Sequence, residues 1–217
     1  MMRVISHRGF WKSPEEKNQP VAFKRSFDLG FGTETDLRDR DGGIVISHDP
    51  ADSSAMTLET YIAGVRASGK PDLMQALNIK ADGLAQSVAS AMKGFEHPWF
   101  VFDMSVPDMV QHLKVGNPVY ARMSEYEPFP EALSGQIKGI WLDAFNGTWF
   151  GRGDIEALLG RGIGVCLVSP ELHRRDDYLA FWHALLPLRH HDQLTLCTDL
   201  PTEAVHALGL QPAASAS

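Results

Sequence analysis

The chain has 217 residues, 44% of them hydrophobic and 22% charged, with a formal net charge of −7; this is the composition of an ordinary globular domain. The acidic balance argues against a general nucleic-acid binder, which needs a basic face to neutralise phosphates. No apolar run approaches the roughly 20 residues that span a bilayer, and "MMRVISHRGF" lacks the apolar core of a signal peptide, so no stable membrane insertion and a cytoplasmic location are expected.

From the N-terminus, "RVISH" (3–7) reads as a strand and "VAFKRSFDLG" (21–30) as an amphipathic helix. "FGTETDL" (31–37) is the second strand, followed by the charged run 38–41 and an apolar run ending at His48 and Asp49. Residues 50–74 read as a weak helix-and-loop connection. Six more strands follow: "ALNIK" (76–80), "WFVFD" (99–103), "PVYAR" (118–122), "GIWLDAF" (139–145), "GVCLV" (164–168) and "LTLCTD" (194–199). Among them lie "GLAQSVASAMKGF", "VPDMVQHLKVG", "RGDIEALLGRG" and "DDYLAFWHALLP", each with apolar residues near i, i+3, i+4 and i+7. Gly30, Gly94, Gly116 and Gly162 stand where these helices should stop.

Eight strands alternating with helices predict a single (β/α)₈ barrel over residues 1–210, with 211–217 as a frayed tail. An open doubly wound sheet would need a glycine-rich phosphate turn after its first strand, and "SHRGFW" has one glycine. Cys166 and Cys197 fall inside apolar strands, as buried free thiols do.

Chemistry in such a barrel is built at the C-terminal ends of the strands. Those ends carry His7 and Arg8, Glu34 and Asp36, Asn78 and Lys80, Asp103, Arg122, Trp141 and Asp143, and Thr198 and Asp199. Glu34 and Asp36, two apart on a strand, point to one side; they suit a hard divalent cation, or else are rim carboxylates paired with Arg8 or Arg38. His7 and His48 suit a general base and a general acid, or are structural. Arg8 and Lys80 suit an anionic group such as a phosphate, or pair with the same two carboxylates. Trp141, Phe145 and Trp149 are candidates for stacking on an uncharged part of a ligand, or for the core.

Taken together, "HRGFW" and "EKNQPVAFKRSFDLGFGTETDLRDRDGGIVISHD" resemble the glycerophosphodiester phosphodiesterase family, within the phosphatidylinositol-phospholipase-C-like barrels. The shared features are His7-Arg8-Gly9, Asn18 before a helix, Gly30 after it, Glu34-x-Asp36, Asp41-Gly42, His48-Asp49, and the closing Thr198, Asp199 and Pro201. The resemblance implies metal-assisted cleavage of a small glycerophosphodiester-like substrate. Mg²⁺ or Ca²⁺ would lie on Glu34 and Asp36, His7 and His48 would be acid and base, and Arg8 would touch the phosphate. It also places Asn78-Ile79-Lys80 where the family carries Glu-x-Lys, so an amide stands in for the third carboxylate ligand. The connection from His48 to the third strand is short, without the subdomain the family usually inserts there. Two alternatives share the barrel: a lyase that forms a cyclic phosphate, and a non-catalytic barrel that binds phosphorylated ligands.

Overall fold

The computed structural model describes residues 1–210, so the tail 211–217 lies outside the described residues. The strands are β1 (Arg3–His7), β2 (Gly32–Arg40), β3 (Gly43–Ile46), β4 (Gln75–Ile79), β5 (Trp99–Phe102), β6 (Tyr120–Met123), β7 (Gly139–Leu142), β8 (Gly164–Val168) and β9 (Leu194–Thr198). The helices are α1 (Pro20–Asp28), α2 (Leu58–Ala67), α3 (Ala85–Ala91), α4 (Val106–Lys114), α5 (Arg152–Gly160), α6 (Tyr178–Leu185) and α7 (Pro201–Leu208).

Eight strands run parallel in the order β5-β4-β2-β1-β9-β8-β7-β6. The ring closes between β5 and β6 through a single bridge, Val101 to Val119, with the Val101 amide donating to the Pro118 carbonyl at 2.9 Å. The fold is therefore the expected (β/α)₈ barrel. Its eight strands fall where the apolar runs place them, with ends shifted by up to three residues.

Three features depart from the sequence reading. β2 runs on to Arg40 and folds back into β3, which among the described residues pairs with no strand but β2, apart from a bridge of Val45 to Thr57, and stands outside the barrel. The turn is Asp41-Gly42, both with positive φ, as the tightest hairpin loops require. The charged run 38–41 is thus a hairpin tip and does not enter the core. The connection 50–74 contains a full helix, α2, whose Thr57 side chain accepts a hydrogen bond from the Thr60 amide as its N-cap. Finally, α7 follows β9, started by Pro201 and ended by Gly209 in the left-handed region. The four glycines expected to end helices all have positive φ.

The core has two parts. Ile5, Ala76, Phe100, Phe102, Trp141, Cys166, Val168 and Cys197 fill the barrel, while a larger set lies between strands and helices. Trp141 is buried and stacks on Phe102 at 3.9 Å, so it belongs to the barrel filling. Both cysteines are buried free thiols. Gly32 is required by close approach, because a Cβ there would overlap the Met74 backbone. Among the described residues no helix is long and apolar enough to cross a membrane.

Candidate active site at the strand C-termini

The first turn of the site follows β1. Arg8 and Gly9 both take positive φ, and Gly9 sits against the backbone of Ala22 with no room for a side chain. The Arg8 amide donates to the Glu34 carbonyl at 2.9 Å and the Gly9 amide to Thr33 Oγ1 at 2.8 Å. These bonds lock the turn over the end of β2. Register does the rest: His7 lies beside Glu34, and Asp36 beside Asn78, on adjacent parallel strands. Side chains on these positions point into the barrel mouth, continuing the inward faces that begin at Ile5 and Ala76.

Glu34, Asp36 and Asn78 are 1%, 0% and 7% exposed. One oxygen on each, Glu34 Oε2, Asp36 Oδ1 and Asn78 Oδ1, is buried without a hydrogen bond. Buried acceptors without a hydrogen bond are costly, and three on one patch of two adjacent strands form a donor set suited to a hard cation. Among the described residues no three His, Cys, Asp or Glu side chains converge at metal-binding range, so a cation here would need the Asn78 amide oxygen. Burial, helped by the charge of Asp36, pushes the Glu34 carboxyl up to about 7 against the pull of His7, Arg8 and Lys80.

The second oxygen of Asp36 is well held. Asn18, with positive φ, donates from Nδ2 to Asp36 Oδ2 at 2.8 Å, and Thr35 Oγ1 donates to Asn18 Oδ1 at 2.9 Å. Arg8 Nε lies 2.9 Å from the same Oδ2, near enough for an ion pair but not aligned as a hydrogen bond. Lys80 Nζ lies 3.5 Å from Asp36 Oδ1 and 3.2 Å from Asp103 Oδ2. Arg8 and Lys80 therefore make the ion pairs that the sequence left as the alternative to phosphate binding, while both stay at the mouth.

His7 is oriented by Asp199: its Nδ1 is 2.8 Å from Asp199 Oδ1, and its Nε2 faces Glu34 Oε2 at 3.9 Å. Trp11 Nε1 donates to the same Asp199 oxygen at 3.2 Å. Burial alone would raise the Asp199 carboxyl, but the hydrogen bond and charge of His7, with Lys17 and Trp11, hold it below its ordinary value. His48 is placed differently. It lies on the exposed loop after β3, with its side chain 46% exposed and Nδ1 3.0 Å from Asp49 Oδ1. The loop is anchored one residue earlier, where the Ser47 amide donates to the Asp36 carbonyl at 3.0 Å. The structure thus gathers His7, Arg8, Glu34, Asp36, Asn78 and Lys80 into one cluster, and it keeps His48 on the exposed loop after β3, its ring on Asp49.

The far side of the mouth carries groups the sequence did not single out as a unit. Arg122 pairs with Asp103 at 2.6 Å and Glu127 at 2.5 Å. Asp143 meets His173 at 2.6 Å. Phe145 is half-buried against the His173 ring, and Trp149 is exposed with its Nε1 donating to the Asp143 carbonyl.

This barrel, with its polar groups gathered at one mouth, has the fold of the glycerophosphodiester phosphodiesterases. Three solved structures carry the likeness. A phosphodiesterase from Oleispira antarctica, in complex with the product sn-glycerol-3-phosphate, is 17% identical with a TM-score of 0.72, over 96% of this chain and 97% of that one. A glycerophosphodiester phosphodiesterase from Parabacteroides distasonis is 16% identical (TM-score 0.68, 96% and 97%). One from Agrobacterium tumefaciens is 17% identical (TM-score 0.65, 93% and 97%). No family model matches the chain, and no curated protein matches it. The three solved structures are named for the group that the sequence motifs resemble.

Proposed function

We propose that the protein is a metal-dependent phosphodiesterase acting on a small glycerophosphodiester-like substrate. The observation that carries this reading is the set of three buried oxygens without a hydrogen bond on Glu34, Asp36 and Asn78, beside a histidine oriented by a carboxylate. Glu34, Asp36 and Asn78 would hold one Mg²⁺ or Ca²⁺, which supplies Lewis-acid polarisation of a phosphoryl oxygen.

The chain's own groups account for the rest. Asp199 accepts from His7 Nδ1, which leaves Nε2 free to exchange a proton with a reacting oxygen. His48 is the second proton-transfer group that the motif assigns, on a loop whose Ser47 amide donates to the Asp36 carbonyl; in the motif's assignment one of the two histidines accepts the nucleophile's proton and the other serves the leaving oxygen. Arg8 and Lys80 supply positive charge for a phosphodiester monoanion. The product bound by the Oleispira antarctica enzyme, sn-glycerol-3-phosphate, supports glycerol as one of the two alcohols.

The test is turnover of glycerophosphodiesters with Mg²⁺ or Ca²⁺, followed by phosphorus NMR. A phosphomonoester product is expected. A cyclic phosphate would make the protein a lyase, and absence of turnover with either ion would make it a binding barrel.

A further inference from the structure

A second histidine–carboxylate pair stands at the same mouth. After β8 the chain turns through a 3₁₀ segment, Pro170–His173, and His173 Nε2 comes within 2.6 Å of Asp143 Oδ1. Asp143 is buried and lies two residues beyond Trp141, so it continues the face of β7 that fills the barrel. The His173 side chain is 22% exposed, and its Nδ1 has no hydrogen-bond partner among the described residues. The construction repeats that of His7 and Asp199 with the ring nitrogens exchanged: one is held by a carboxylate, and the other carries no hydrogen bond among the described residues.

The segment is fixed from both sides. The Ser169 amide donates to the Cys197 carbonyl at 3.0 Å, and Ser169 Oγ accepts from the buried Trp182 Nε1 at 2.8 Å. Beyond His173, Arg174 takes positive φ, and Arg175 donates to the Ala144 carbonyl at 2.8 Å and to Thr148 Oγ1 at 3.1 Å. The turn after β8 is thereby tied to the loop after β7 next to the pair itself. His48 is tied through its backbone, its carbonyl accepting from Arg38 at 2.9 Å, and its ring meets only the exposed Asp49.

Position gives the pair its role. In the ring of eight strands, β7 is four strands from β2 in either direction, so Asp143 and His173 stand opposite Glu34 and Asp36. Displacement at phosphorus places the attacking and leaving oxygens on opposite sides. A nucleophile deprotonated on the side of β1 and β2 puts the leaving oxygen toward β7. We infer that His173, held by Asp143, is a catalytic residue that protonates the leaving alkoxide, a role that the motif would give to His7 or His48. The new oxygen–phosphorus bond forms as the nucleophile's proton passes to the base. The old bond breaks, and the Nδ1 proton of the His173 imidazolium passes to the departing oxygen. The base then releases its proton to solvent and His173 takes one up, which resets both groups.

This inference rests on the phosphodiesterase reading, and the test separates the two. Wild type, His173→Ala and His173→Gln are assayed with Mg²⁺ on a glycerol alkyl phosphodiester and on bis(p-nitrophenyl) phosphate, with circular dichroism to confirm folding. Each variant should lose roughly 10²-fold or more on the alkyl diester, and less than about 10-fold on the nitrophenyl diester, whose phenolate leaves without a proton. Added imidazole should return part of the alkyl activity to His173→Ala. Should that variant not fold, His173→Gln, which can still donate to Asp143, carries the comparison. Equal losses on both diesters, or an alkyl rate within about threefold of wild type, overturns the assignment of His173 and leaves the phosphodiesterase reading standing. No turnover of either diester by wild type overturns both.

Discussion

Glu34 offers a test that needs no substrate. Its carboxyl is fully buried and raised from 4.5 to about 7, chiefly by burial and secondly by Asp36. At about 1.4 kcal/mol per tenfold change in proton affinity, ionising it in the folded protein costs about 3 kcal/mol more than in the unfolded chain. The sign follows from linkage. Below pH 4.5 both states hold the proton; between 4.5 and 7 only the folded state holds it, so stability falls as pH rises. Above 7 the loss is complete. Glu34→Gln mimics the protonated side chain at every pH. With divalent ions chelated, it should lie within about 1 kcal/mol of wild type near pH 5 and exceed it by about 3 kcal/mol at pH 8, roughly 6–12 °C in melting temperature for a chain of this size. Adding Mg²⁺ or Ca²⁺ at pH 8 should raise the wild-type melting temperature and leave the variant unmoved. If the two proteins keep a constant difference from pH 5 to 8, Glu34 does not titrate in this range and the argument fails.

Asn78→Asp should tighten Mg²⁺ and Ca²⁺ binding by restoring a negative ligand; calorimetric affinities equal to wild type would remove Asn78 from the site. His7→Ala should lower kcat by roughly 10²–10⁴-fold, and Asp199→Asn should lower it by a smaller factor with KM little changed, since it only orients the ring; unchanged kcat in both would end the role given to this pair. His48→Ala should lower kcat on an alkyl diester, and steady-state rates within error of wild type would take His48 out of the mechanism. Gly32→Ala should destabilise the fold by more than about 3 kcal/mol in urea melts, because the new Cβ meets the Met74 backbone and not a movable side chain; a cost under about 1 kcal/mol would contradict the packing described.

The barrel was legible because its signals are local. "RVISH" and "GVCLV" are strands β1 and β8 to the residue, since buried parallel strands are short apolar runs with turn residues at each end. β3 was seen only as an apolar run, because four residues, GIVI, have no periodicity that tells strand from coil. In α2, Thr60, Gly64 and Arg66 dilute the apolar pattern, and its N-cap Thr57 gives no repeat to count. The cluster of His7, Glu34, Asp36 and Asn78 was readable because adjacent strands and a period of two place them together. His173 and Asp143 are 30 residues apart on different connections, and no spacing rule joins them. Nor does sequence say that the His48 ring turns to solvent, since that depends on the bend after Ile46.

The ring of strands is stitched along seven ladders and only pinned at the eighth, between Val101 and Val119. Across that gap Arg122 of β6 reaches Asp103 just beyond β5, so a charge pair at the mouth fastens what the backbone leaves loose. Transient opening should begin there. Amides of β5 and β6 should exchange with solvent sooner than those of β1 and β9, which hydrogen-bond on both flanks. A backbone cut near Gly116, at the exposed end of α4, would leave two four-strand halves still joined by the ladder of β1 and β9, and it is the place where the chain would best bear being divided into fragments or rejoined in a new order.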